Sequence, residues 1–77
     1  MDRSTRKRVL VLDDDVGIVE SVRDFLTLEG YEVLAETSPT ATLARLEHGD
    51  IPDIALVDLL MNQVDGIALI AEIRQRA

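Results

Sequence analysis

Three short runs set the terms for this chain: RVLVL (Arg8–Leu12), YEVLAET (Tyr31–Thr37) and the IALV of IPDIALVDL (Ile54–Val57), at intervals of about 20–25 residues. In the first and third, apolar residues follow one another without alternation. A strand with one wet face alternates apolar and polar residues. An unbroken apolar run fits a strand covered on both faces, as in a parallel sheet. Parallel neighbours need a crossover, usually a helix. The intervening residues supply one. After the first run, Val19, Val22, Phe25 and Leu26 fall on one helical stripe, with Glu20, Arg23, Asp24 and Thr27 elsewhere. Asp14 or Asp15 caps its start, and Gly30 stands where a helix stops. After the second run, Ser38 precedes Pro39, a cap followed by proline at the first helical position. Ala41, Leu43, Ala44 and Leu46 give that helix an apolar side, and Gly49 ends it. The loop LLMNQVDG then leads into IALIAEIRQRA, helical by composition, with Ile67, Ile70, Ile73 and Arg74 on neighbouring turns. The order β-α-β-α-β-α predicts an α/β layer fold with right-handed crossovers.

At 77 residues the chain suits one small domain. Such a chain buries only about 60–65% of the surface its unfolded form exposes, so its core has little to spare. It has no cysteine, which fits a reducing cytosol. The longest apolar run is five residues, Ile67–Ala71, whereas a membrane span needs about 20. No apolar segment follows the charged MDRSTRKR, so that stretch is not read as a secretory signal. The net charge of −7 is uneven. Residues 1–8 carry four basic groups and one acidic group, leaving four basic against 14 acidic, a net −10, for the rest. An acidic body repels nucleic-acid phosphates. Tyr31 and Phe25 are the only aromatics, too few for a base-stacking platform. Residues 1–7 read as a basic, solvated arm and 8–77 as the domain.

The carboxylates point to chemistry. Asp13, Asp14 and Asp15 close the first strand and Asp58 closes the third. Ligands of open parallel sheets bind at the carboxyl ends of strands. If strand 3 lies beside strand 1, these groups converge, and crowded carboxylates call for a cation. Oxygen-only donors select a hard divalent ion, magnesium being the usual one. The competing reading is that the triplet only caps the first helix and meets its dipole. The matching Asp58 after a second apolar strand favours a site.

VLVLDDD, ALVDLLM and VDG, taken together, closely resemble the receiver domains of two-component response regulators. The resemblance runs from about Arg8 to the last residue. It implies a flavodoxin-like, three-layer parallel sheet of which this chain carries β-α-β-α-β-α. It also implies roles. Asp13 and Asp14 match the acidic pair that binds Mg2+, one often through water. Asp58 matches the aspartate that accepts phosphoryl from a histidine kinase or phosphotransfer protein and also touches the metal. The backbone carbonyl of Leu60 matches the remaining protein ligand, and Gly66 the glycine shaping the loop into the third helix. The implied product is a temporary aspartyl phosphate in a cytoplasmic signalling protein, with no separate catalytic turnover.

The chain departs from that pattern in two ways. Where the family usually has MPGMDG, this chain has MNQVDG, with Asn62 and Gln63 in place of proline and glycine. No ligand is lost, because the metal contact there is a carbonyl. The larger departure is extent. Receivers have five βα units and this chain has three, so the switch Ser or Thr after strand 4 and the phosphate-pairing lysine after strand 5 have no counterpart. The only lysine, Lys7, precedes strand 1. In the strand order 2-1-3-4-5, strand 3 becomes an edge and Phe25 loses its cover. Two expectations follow: self-association through that edge, or membership of a longer protein. An alternative function is therefore a non-phosphorylated interaction or dimerisation module that keeps the acidic pocket. An enzyme reading, from the loose DxD of Asp13 and Asp15, fits poorly because Gly17 departs from the phosphatase motif. No glycine-rich phosphate loop is present. His48, near a helix end, and Arg74, Arg76 and Glu72, on a helix face, read as surface residues, and Met61 as core.

Overall fold

The computed structural model describes residues 6–58 and 66–76. The elements alternate as predicted: β1 (Arg8–Leu12), α1 (Val16–Leu28), β2 (Glu32–Glu36), α2 (Pro39–Glu47), β3 (Ile54–Val57) and α3 (Gly66–Arg76). The second strand is one residue shorter at each end than predicted, and the first and third match. The order across the sheet is β2-β1-β3, with β1 parallel to both neighbours. Leu10 lies opposite Leu34 and Ala55, and Leu12 opposite Glu36 and Val57.

Strand alternation divides the core in two. Leu10, Leu12 and Leu34 point to one face and are covered by Leu46 of α2 and Ile73 of α3. Val9 and Val11 point to the other, where Val19 of α1 closes over them with Val22 and Leu26 alongside. Helices therefore cover both faces of the sheet. The central strand is the best buried, with Val9, Leu10, Val11 and Leu12 all at 4% exposure or less. Its unbroken apolar run is explained by that position.

The helix ends follow their residues. Asp15 is the N-cap of α1 and its Oδ1 accepts from the Ile18 N–H at 3.2 Å. This resolves the choice between Asp14 and Asp15. Ser38 caps α2, its Oγ accepting from the Ala41 N–H, and Pro39 follows it. Gly30 and Gly49 leave α1 and α2 with φ of +95° and +92°, a region costly for any residue with a Cβ.

Two side-chain expectations need correction. Phe25 is 62% exposed, and the buried stripe of α1 is Val19, Val22 and Leu26. Phe25 sits at the margin of that stripe. In α2, Ala44 faces solvent, and the polar Thr42 is fully buried along with Pro39 and Leu46. The Thr42 hydroxyl donates to the Ser38 carbonyl at 3.0 Å, which satisfies the one polar atom and lets the residue pack as an apolar one.

Ion pairs fix the register at the amino end of the sheet. Arg8 is registered opposite Glu32, and its Nε donates to Glu32 Oε2 at 3.0 Å. The Arg8 N–H donates to Asp53 Oδ2 and the Asp53 N–H to the Arg8 carbonyl, both at 2.8 Å. Arg45 reaches from α2 to Glu36 and to Asp50.

Candidate functional site

The ladder bonds continue past the last registered residues and place two of the aspartates. The Asp13 N–H donates to the Glu36 carbonyl at 3.3 Å, and the Asp58 N–H donates to the Leu12 carbonyl at 2.9 Å. Asp13 and Asp58 thus leave neighbouring parallel strands at the same level. Their backbones are held by the sheet rather than by a loop. Each extends the alternation of Val9–Val11 and of Ile54–Leu56, which places both on the α1 side.

The next turn arranges the rest. Asp13 Oδ1 accepts from the Asp15 N–H at 2.9 Å, so the chain folds back over Asp13 as it enters α1. Asp15 is committed to its cap. Asp14 is left exposed, on the same rim. One carboxylate oxygen from each of Asp13, Asp14 and Asp58 lies within 4.8 Å of the other two. The convergence that the sequence made conditional on strand order is present. The fourth expected donor, the Leu60 carbonyl, lies outside the described residues, as do Met61, Asn62 and Gln63.

The donor set suits a hard divalent cation. Opposite ligands of a magnesium ion stand about 4.2 Å apart, twice a bond of about 2.1 Å. Asp13, Asp14 and Asp58, whose carboxylate oxygens lie within 4.8 Å of one another, would be the residues to hold such an ion. Carboxylates this close repel one another, and a bound cation would offset that repulsion.

A feature that the sequence reading missed adjoins the cluster. Asp13 and Asp58 stand at one end of a recess of about 310 Å³, walled by Val11, Ile18, Val22 and Leu56. Ile18 fell outside the predicted buried stripe of α1, and it is half exposed. Its place beside Phe25 on the helix flank is legible only once α1 is known to lie on this side of the sheet.

Other candidates fall away from the cluster. Lys7 lies at the amino end of β1, where its carbonyl accepts the Glu32 N–H. His48 is the C-cap of α2, at the opposite end from the strand carboxyl termini. Arg76 pairs with Glu72 along the exposed side of α3 at 3.3 Å.

The comparison with known proteins agrees with this geometry. Residues 9–77 match the family described as the response regulator receiver domain. The chain belongs to that family. This receiver domain is 31% identical over 75 residues to the probable transcriptional regulator ycf27 of Guillardia theta, which covers 97% of this chain and 29% of that protein. It is 32% identical over 68 residues to the chemotaxis protein CheY of Bacillus subtilis, 88% of this chain and 57% of the relative. It is 34% identical over 70 residues to the transcriptional regulatory protein KdpE of Staphylococcus aureus, 91% and 30% respectively. The chain thus spans under a third of the transcriptional regulators' length and just over half of the chemotaxis protein's. No solved structure matches it at the same significance. Three parallel strands in the order β2-β1-β3 with helices on both faces are the receiver's flavodoxin-like architecture over three βα units. Among the described residues, no helix is long and apolar enough to cross a membrane.

Proposed function

We propose that this receiver domain accepts a phosphoryl group on Asp58 from the phosphohistidine of a histidine kinase or phosphotransfer protein, with Mg2+ held by Asp13, Asp14, Asp58 and the Leu60 carbonyl. The observation that carries this reading is the meeting of the three carboxylates at the carboxyl ends of adjacent strands. A Mg2+ ion there supplies neutralisation of the charge that gathers on the transferred phosphoryl oxygens.

The chain's own residues do the rest. An oxygen of Asp58 attacks phosphorus in line as the phosphorus–nitrogen bond of the donor imidazole breaks. An acyl phosphate forms, and the bond's electron pair stays with the departing ring nitrogen. The Asp58 backbone is held by its bond to Leu12, which limits the freedom lost in aligning the nucleophile. Asp15, fixed as the cap of α1, does not compete for the incoming group. The acyl phosphate then hydrolyses, so the domain is a temporary carrier rather than an enzyme with turnover. The family's kinases act on cytoplasmic partners, and this reading places the domain there.

The test is incubation with magnesium and a small acyl or phosphoramidate donor, read by intact mass and hydroxylamine sensitivity. A hydroxylamine-labile phosphoryl adduct that disappears in Asp58→Asn supports the reading. An adduct that persists in Asp58→Asn, or that sits on His48, overturns it. The second reading, an interaction module that keeps the acidic pocket unphosphorylated, draws on the exposure of Ile54 and Leu56 in β3 among the described residues. Absence of any adduct together with retained magnesium binding would favour it.

A further inference from the structure

Charged side chains on the α2 face of the sheet form a connected string that ends beside Asp13. Arg8 pairs with Glu32 at 3.0 Å and with Asp50 at 3.5 Å. Asp50 is shared with Arg45, whose Nη1 lies 3.6 Å from Asp50 Oδ2. The Arg45 Nε donates to Glu36 Oε2. Glu36 is the last residue of β2, and its carbonyl accepts the Asp13 N–H at 3.3 Å. The string thus ties α2 to the backbone of a residue in the carboxylate cluster. The phosphoacceptor chemistry makes no direct use of it.

The place of Glu36 gives the tie its purpose. Beyond Glu36 the chain leaves the sheet, and Thr37 is exposed. The ends of elements open readily unless something holds them. The Glu36 side chain is 19% exposed and that of Arg45 35%, so the pair is less screened than one in open water. Arg45 pins the end of β2 against α2 and keeps the Glu36 carbonyl in reach of Asp13. The second hold on Asp13 comes from α1, where the Asp15 N–H donates to Asp13 Oδ1 at 2.9 Å. One bond fixes the backbone and the other the carboxylate. We propose that Arg45 is a positioning residue for the acidic cluster, acting through Glu36 to hold Asp13 where it serves a divalent cation. The inference rests on the reading of that cluster as a magnesium site. Outer groups that orient a metal ligand contribute about tenfold or more to affinity.

Charge gives this role a sign of its own. Removing the Arg45 cation makes the chain more negative, and Coulomb attraction alone would then tighten cation binding. Loss of positioning weakens it. The test follows backbone amide shifts during magnesium titration of the 77-residue chain, Arg45→Met and Arg23→Met, with hydrogen exchange measured in chelator. Arg23 pairs with Asp24 on the exposed side of α1, so its replacement removes the same charge away from β2. The Kd for magnesium should rise about tenfold in Arg45→Met and stay level or fall in Arg23→Met. In chelator the Asp13 amide of Arg45→Met should exchange about tenfold faster, while the Val9–Val11 amides keep their protection. If Arg45→Met loses its β1–β2 amide signals, Glu36→Gln breaks the same pair and is judged by Asp13 exchange. Parental exchange at Asp13, or magnesium binding as tight as the parent's, overturns the inference. A parent that binds no magnesium sinks the metal reading instead, and the hold of Arg45 on Asp13 is then decided by exchange alone.

Discussion

Asp14→Asn separates the two forces acting at the carboxylate cluster. Asp14 is exposed, and substitution by asparagine changes its charge with little change in shape. Its carboxylate lies within 4.8 Å of those of both Asp13 and Asp58. Two unit charges at that distance repel by about 0.9 kcal/mol in water. At physiological ionic strength, with a screening length of about 8 Å, that falls to about 0.5 kcal/mol. Removing Asp14 thus relieves about 1 kcal/mol over two pairs. It also forfeits about 0.5 kcal/mol of favourable interaction with the amino end of α1. In chelator, Asp14→Asn should be more stable than the parent by about 0.5 kcal/mol, and by about 1 kcal/mol at low salt. In a chain of this size that corresponds to a rise in Tm of about 2–8 °C. In excess magnesium the order should reverse. The parent gains about 2.7 kcal/mol when the ion stands at a hundred times its Kd, and the variant, short of one ligand, gains less. Urea unfolding with and without magnesium, at two salt concentrations, reads all of this. A variant less stable than the parent in chelator at both salt concentrations would refute the repulsion argument. Equal magnesium stabilisation of parent and variant would refute the assignment of Asp14 as a ligand.

Three further outcomes test the fold that carries the site. Leu10→Ala, at the centre of the sheet and 1% exposed, should cost about 2–5 kcal/mol in urea unfolding, enough to unfold much of the population of so small a domain. Ser38→Ala removes the cap of α2 and should cost about 1 kcal/mol in the same assay, with a matching loss of amide protection confined to the first turn. Thr42→Val keeps the shape and loses one hydrogen bond, for a change of about 1 kcal/mol or less, whereas Thr42→Ser loses a buried methyl and should be the more destabilising of the two in a calorimetric comparison.

Much of this architecture was legible in the chain before any coordinates. Val9 to Leu12 carry no polar residue because β1 lies between two strands under helices on both faces, so burial wrote its pattern directly into the residue order. Ser38 and Pro39 announced α2 because capping depends on two adjacent residues alone. The pairing of Asp13 with Asp58 could be stated only as a condition, since strand order is a property of the whole sheet. The register Leu12 to Val57 meets that condition. The misread positions are those where tertiary placement overrides local pattern. Phe25 counts as apolar on a helical wheel yet is 62% exposed among the described residues. Thr42 counts as polar yet is fully buried, because its hydroxyl is satisfied within its own helix. The recess between α1 and β3 went unseen because it joins Ile18 and Val22 to Leu56, 38 and 34 positions away, and their nearness depends on which face α1 covers.

If the proposed divalent ion sits among Asp13, Asp14 and Asp58, substitution of magnesium by Mn2+ reads that position directly. Paramagnetic broadening of backbone amide signals should appear first at Leu12–Asp15 and Val57–Asp58, and should be lost when Asp13 and Asp58 are both changed to asparagine. Broadening that spreads evenly over the acidic surface, reaching Glu29, Glu47 and Asp50 at the same ion concentration, would contradict it.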